Sequence, residues 1–225
     1  MVLAARSGSG HRREALERLC ATYWRPIYGY LRRRGNAPAD AEDLTQSFFL
    51  YLIESDFLDR PDPLQGRFRG YLVGALKHFL ANHFERANAQ KRGGKASFLA
   101  WEDVNPEQEF ASLGMPDNDP AELYEASWAL TLLGGALQRL EEEQIAAGRA
   151  KQFAVLKPYL SAAPSRGEYD QAAAALGTSR TNVAVWVHRL NQRYGELVRL
   201  AVSATVADPA EINDELRHLL TVLQR

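Results

Sequence analysis

The chain has 225 residues, 46% of them hydrophobic and 24% charged, with 27 Lys+Arg against 28 Asp+Glu for a formal charge of −1. These are globular values, so a disordered, collagen-like or supercharged chain is excluded, and the length allows one large domain or two small ones. No apolar run reaches the length of a membrane-spanning helix, Met1 to Arg13 lacks the apolar core of a secretory leader, and the single cysteine, Cys20, excludes an internal disulfide framework and fits a reducing cytoplasm.

Apolar residues at Leu16, Leu19, Tyr23, Ile27, Tyr30 and Leu31 predict a first helix over Arg12 to Arg34, bent or interrupted at Pro26 and stopped at Gly35-Asn36. Pro38 and Asp40 open a second helix over 39–54, with Leu44, Phe48 and Leu52 on one face and Ala41, Phe49 and Ile53 beside it. Pro61, Pro63 and Gly66 mark a loop. A third helix over 67–88 carries Phe68, Leu72, Ala75, Leu76, Phe79, Leu80 and Phe84. Residues 101–125 lack periodicity and read as a linker. Helices resume near Ala121, with Leu123, Leu130, Leu133, Leu137 and Leu140 on one side. Further helices are predicted over 150–160, 168–176 and 179–200. Asp208-Pro209-Ala210-Glu211 opens a last one, with Ile212, Leu216, Leu219, Leu220 and Leu223 on one face. No alternating β-branched run and no fixed-period repeat occurs. The expected fold is all-α: two small helical domains joined by an acidic linker, the second with a helix-turn-helix, and a C-terminal helical extension. The expected boundaries are 1–98, 99–120, 121–200 and 201–225.

The near-zero charge hides segregation. Residues 1–35 hold eight Arg and two Glu; 36–59 hold six acids and no Lys or Arg; 60–100 hold eight bases and two acids; 101–125 hold eight acids and no base. Windows of one sign suggest separate surfaces for separate partners.

The sharpest local pattern runs from Tyr169 to His188. Ala173 stands four residues before Gly177, and Val183 six after it. Two helices crossing at a tight turn need a small residue at the crossing, a glycine where the backbone turns left-handed, and an apolar residue on the second helix. Leu176 and Trp186 are expected to complete the buried set, and Thr178 or Ser179 to cap the second helix. Ser179, Arg180, Thr181, Asn182, Ala184, Val185, His188, Arg189 and Arg193 then fall on or beside the outer face, where polar and basic members can reach phosphates or base edges in a DNA groove.

Three segments in this order resemble extracytoplasmic-function sigma factors of bacterial RNA polymerase. Asp40-Ala41-Glu42-Asp43-Leu44-Thr45-Gln46-Ser47-Phe48-Phe49 resembles their conserved-region-two helix. Phe68-Arg69-Gly70-Tyr71-Leu72 resembles the start of the helix after it, and 169–189 the promoter-reading part of region four. The resemblance covers about 12–98 and 121–198. It implies a non-enzymatic initiation factor without a cofactor, in the cytoplasm, whose partners are core RNA polymerase and promoter DNA. Polymerase binding falls to Asp40, Glu42, Asp43 and Gln46, while Phe48 and Leu52 are read as core. Capture of the melted promoter element falls to Arg67, Lys77, His78, Asn82, His83, Arg86, Lys91 and Arg92, because unstacked bases need aromatic or polar seats and the backbone needs cations. The loop Leu64-Gln65-Gly66-Arg67 could help hold a flipped base. Tyr71 is read as core, and His78 with His83 makes no metal set. The upstream element falls to Ser179, Arg180, Thr181, Asn182, His188, Arg189 and Arg193. The acidic linker would thread the polymerase's RNA-exit path.

The sequence departs from the family at Ser47, where an acid is usual, at His78, where Asn is frequent, and at Ala184, Val185 and Trp186. Phosphorylation of Thr45 or Ser47 would restore the missing charge. The implied controls are therefore a kinase or a sequestering anti-sigma factor. Two alternatives are a helix-turn-helix regulator acting on duplex DNA without polymerase and a helical adaptor that binds no DNA.

Overall fold

A computed structural model describes residues 9–55, 68–89, 119–160, 167–206 and 208–224, with backbone only at 9–15 and 84–89. Its described residues are helical, without strands: α1 Ser9–Arg33, α2 Pro38–Glu54, α3 Phe68–Ala89, α4 Pro120–Ala146, α5 Ala150–Leu156, α6 Glu168–Leu176, α7 Arg180–Ser203 and α8 Ile212–Leu223. The all-α expectation holds. Short 3-10 turns at Lys157–Leu160 and Pro209–Glu211 extend α5 and precede α8. The helix expected over 150–160 tightens after Leu156, where Pro158 has no N–H with which to continue the α-helical ladder.

The chain divides into two compact units, 1–131 with 204–225, and 132–203. The division falls inside α4, and the last helix belongs with the first unit.

In the first unit α1 packs on α2, and α2 on α3. Pro26 does not interrupt α1, which runs through it. Residues 26–31 are all buried, and this packing outweighs the one backbone hydrogen bond that proline cannot make. The helix ends as predicted: Gly35 takes φ +88°, and Asn36 donates through Nδ2 to the Leu31 carbonyl at 2.7 Å. Tyr23, Ile27, Leu31, Phe48, Leu52, Leu72 and Leu76 form the core. Each large apolar side chain so buried contributes about 1.5–3 kcal/mol. Cys20 lies in this core, where burial and the nearby Glu17 push its thiol up to about 11. The thiol is therefore protonated and inert at neutral pH.

The start of α4 and all of α8 complete this unit. The tetrapeptide Asp-Pro-Ala-Glu opens α4 at 119–122 and leads into α8 at 208–211. In each copy the Asp carboxylate accepts from the amide two residues on, Ala121 at 3.0 Å and Ala210 at 2.8 Å. Proline at the first position costs nothing there, because that amide has no helical acceptor. Leu123 of α4 lies against Gly29 of α1, where an added Cβ would stand 3.7 Å from a Leu123 methyl.

Three expected apolar faces are corrected. The buried row of α4 is Tyr124, Trp128, Leu132, Ala136 and Leu140, spaced by four; Leu130 is exposed, and Leu133 and Leu137 are half-buried. Tyr124 and Trp128 are the largest residues of the helix and set the seam, with alanine where neighbours approach. In α8 the buried residues are Glu215 and Leu219, whereas Leu220 and Leu223 are exposed. Glu215 is drawn into the seam by a buried arginine described below. In α2, Ile53 is exposed rather than beside the core.

The second unit packs α6 on α7 and α5 on α6 around Phe153, Leu156, Ala172, Ala173, Val183, Val187 and Leu190.

Candidate polymerase and nucleic-acid surfaces

On α2 the buried face is Ala41, Leu44, Thr45, Phe48, Phe49 and Leu52. Phe48 and Leu52 are core, as read from the sequence. Asp40, Glu42 and Asp43 are exposed in the first two turns, where the helix dipole favours carboxylates. Gln46 and Ser47 are half-buried on the same side. The stripe continues through Leu50 and Ile53, 50% and 43% exposed, so the acids run into an apolar strip that the sequence reading missed. Their recurrence at Asp43, Gln46, Leu50 and Ile53 was the available signal.

Thr45 is wholly buried, and its hydroxyl donates to the Ala41 carbonyl at 2.6 Å. A kinase cannot reach it in this fold, so the expectation of a phosphoacceptor at Thr45 is withdrawn. Ser47 keeps partial exposure.

On α3 the exposed positions are Gly70, Gly74, Lys77, His78 and Ala81, spaced by three and four along one face. An added Cβ at Gly70 or Gly74 would meet nothing within 4 Å. Lys77 and His78 therefore stand at the end of a low ridge that another chain can approach closely. His78 Nε2 and Asn82 Nδ2 are 3.0 Å apart, which ties these two candidates together. His83 is half-buried with its ring 5.6 Å from Phe79. Tyr71 is half-buried beside Phe68 rather than fully in the core. Arg86 is on the backbone of α3, but its side chain lies outside the described residues, as do Arg67, the loop at 64–67, Lys91, Arg92 and the acidic stretch 101–118.

In the second unit α6 ends at Gly177, φ +60°. The Thr178 amide donates back to the Ala173 carbonyl at 2.9 Å, which closes the helix end. Ser179 Oγ accepts from the Asn182 amide at 3.2 Å and caps α7. Asn182 Nδ2 donates to Thr178 Oγ1 at 3.0 Å, tying the turn to the helix. Ala173 and Val183 are buried, whereas Leu176 and Trp186 are half-buried. Ser179, Arg180, Thr181, Asn182, His188, Arg189 and Arg193 are all exposed.

Arg193 differs from the rest. Glu143 accepts from its Nε and Nη2 at 2.9 and 2.8 Å, and Glu196 from Nη1 at 2.7 Å. The Arg193 hydrogen bond holds the Glu143 carboxyl below its ordinary value. Arg193 and Arg189 flank an open cleft of about 480 Å³ whose lining includes Phe153, Leu156 and Trp186.

A cluster absent from the sequence reading lies in the first unit. Arg69, 3% exposed, pairs through Nε with Glu125 at 2.6 Å and through Nη1 with Glu215. Its guanidinium lies 4.8 Å from the ring centroid of Trp128. His218 Nε2 stands 2.9 Å from the same Glu125 carboxylate, and Tyr124 donates to the Arg69 carbonyl at 3.3 Å. The available signals were a basic residue inside the apolar stripe of α3 and an acid at a seam position of α8.

Among the described residues no group of acidic, His and Cys side chains could hold a metal ion, and no helix is long and apolar enough to cross a membrane. Comparison with curated proteins and with solved structures finds no match. Residues 19–90, spanning most of α1, all of α2 and α3, match the family described as Sigma-70 region 2. This match supports a sigma factor of the sigma-70 family, a class of non-enzymatic transcription initiation factors that act with RNA polymerase on DNA.

Proposed function

We infer that the chain is an initiation factor of the extracytoplasmic-function type, acting in the cytoplasm, that binds core RNA polymerase, recognises a bipartite promoter and assists strand opening. The match over residues 19–90 carries this reading. The exposed Asp40, Glu42 and Asp43 with Gln46 form an acidic face suited to a basic polymerase surface, and the neighbouring Leu50 and Ile53 add apolar area to the same stripe. Lys77 and His78 with Asn82 and His83 line the helix assigned to the melted element, joined by Arg67, Arg86, Lys91 and Arg92 in sequence. The capped turn at 177–179 and the exposed polar residues of α7 support reading of an upstream duplex element. The proposed roles are polymerase binding and melting for 1–98 and upstream-element reading for the helix-turn-helix region after α4, while residues 120–131 and 204–225 group with the first unit. Control by a kinase at Ser47 or by an anti-sigma factor belongs to the same reading.

Reconstituted transcription with purified core polymerase tests it. A core complex on a sizing column and initiation at a cognate promoter are expected, and Asp43→Arg should abolish the complex while leaving helicity unchanged. Absence of both complex and initiation with the unaltered protein overturns the reading. Binding to duplex DNA alone, without core binding, would favour the regulator that works without polymerase.

A further inference from the structure

The three successive positions of α7 at which the sequence departs from the pattern it resembles, Ala184, Val185 and Trp186, are sorted by the structure. Trp186 is half-buried and lines the cleft beside Phe153 and Leu156. Ala184 is half-buried. Val185 is exposed, at 41%. The core side of the same helix is filled by Val183, Val187 and Leu190, so Val185 adds little to the packing of the second unit.

Its position gives the exposure a meaning. Single exposed apolar residues are ordinary. This one stands in a row with Thr181, His188 and Gln192, at steps of four, three and four along one face of α7, and all four side chains are exposed. None of the four is Lys or Arg. At about 100° per residue, Arg180 and Arg189 fall on opposite sides of the row. A helix lying in a major groove has this division: cations on its flanks meet the phosphates on either side, and the middle row meets base edges. Val185 lies in the first two turns of α7, the part of such a helix whose side chains reach the bases.

An aliphatic side chain at that place has one favourable partner. Guanine offers two acceptors to the major groove, adenine an acceptor and a donor, and cytosine a donor. An apolar group set against any of these strips water from it and returns no hydrogen bond. Thymine carries a methyl group there, which a valine side chain can shield from water while its own methyls are shielded in turn.

We propose that Val185 is a specificity-determining residue of the upstream element, resting on the C5-methyl group of a thymine in the major groove, so that the element carries an A·T pair at that position. This rests on the reading of the chain as a sigma factor whose helix-turn-helix reads an upstream duplex element. Thr181, His188 and Gln192 supply the hydrogen bonds to the neighbouring bases, and Arg180 and Arg189 fix the register through phosphates.

Selection from randomised duplexes with the full chain assembled on core polymerase yields the element and tests the contact. The element should hold a thymidine at one fixed position where deoxyuridine, which lacks only the methyl group, weakens binding by about fourfold. Val185→Ser should bind the thymidine element as weakly as unaltered protein binds the deoxyuridine element, and should no longer distinguish the two. Val185→Ile keeps an aliphatic surface and should keep the distinction. Both variants change an exposed side chain, and unchanged amide protection in α6 and α7 shows that the turn is intact. An element in which deoxyuridine replaces every thymidine without loss overturns the proposal, as does a loss that persists in Val185→Ser. Failure to assemble with core polymerase overturns the sigma-factor reading instead, and selection with the full chain alone, followed by the same base substitution, then decides the role of Val185. Selection of no element in either form overturns both.

Discussion

Each unit holds an arginine between two glutamates, and the two arrangements differ in almost everything but their formula. Arg69 is 3% exposed, lies over a wholly buried tryptophan and connects residues 146 apart in sequence. Arg193 is 44% exposed, and one of its partners is three residues along the same helix. In water a guanidinium is already well satisfied, so the Arg193 pair replaces one good environment by another and orders three flexible side chains in doing so. In the interior no such alternative exists. There the pair adds little over an apolar replacement, yet removing one member is costly. The contrast teaches that an ion pair is judged by what its members would meet if parted, not by its distances. It also separates two uses of charge: Arg69 decides which segments dock, whereas Arg193 remains available to exchange its glutamates for another anion.

The largest expected effect follows from the buried member. Arg69→Met should cost about 3–5 kcal/mol in urea unfolding of the first unit, because the buried Glu215 loses the guanidinium it pairs with, while Glu125 keeps His218 at 2.9 Å. Combining it with Glu125→Gln and Glu215→Leu should recover most of that loss. If Arg69→Met costs no more than Arg193→Ala, the comparison collapses and the cluster must be counted as hydrated.

Intermediate effects belong to the turn of the second unit. Gly177→Val should cost about 1–2 kcal/mol, since a β-branched residue pays the left-handed backbone penalty at φ +60°. Nothing lies within 4 Å of an added Cβ there, so the cost is backbone and not collision. Gly177→Asn should therefore recover a good part of it. Ser179→Ala should cost about 1 kcal/mol through loss of the cap on the Asn182 amide. Both are read as reduced amide protection in α6 and α7. Neither should disturb the first unit, and an equal loss of protection there would show that the two clusters do not sit in independently stable regions.

What could be read in the sequence, and what could not, divides along the same line. Local signals were legible. The stop at Gly35-Asn36, the Asp208 cap and the left-handed turn at Gly177 each depend on residues within a few positions of one another, and each stands as expected. Long-range decisions were not. Pro26 predicted a break that the surrounding core overrides. The leucines of α4 predicted one seam, and Tyr124 and Trp128 chose another because their partners come from α1, α3 and α8. Nothing near Glu215 in the sequence marks it for burial; its partner, Arg69, is far away along the chain. The candidate surfaces follow the same rule: exposure of Asp40, Asp43 and Lys77 was readable from helical periodicity, whereas burial of Thr45 and engagement of Arg193 depended on the packing of other residues.

The smallest expected effect is at Arg193, and it sharpens the comparison most. Glu143 is held below the usual carboxylate range, chiefly by its hydrogen bond from Arg193. A carboxylate whose folded value is depressed contributes stability that is present above its unfolded value, near 4.5, and is lost as pH falls through the folded value. Arg193→Ala should therefore lower stability slightly at neutral pH, less than Ser179→Ala does, and the difference from unaltered protein should vanish in acid below that range and in high salt. The same arginine is read differently in DNA binding. To reach a phosphate it must leave Glu143 and Glu196, whereas the exposed Arg180 and Arg189 have no such competitor among the described residues. Replacing Arg189 by Ala should then reduce the salt dependence of upstream-element binding by about one counterion if it contacts a phosphate. Arg193→Ala should reduce it by less, and Glu143→Gln should strengthen binding by releasing the guanidinium. An Arg193 effect equal to that of Arg189, unchanged by Glu143→Gln, would mean that its glutamates compete with nothing.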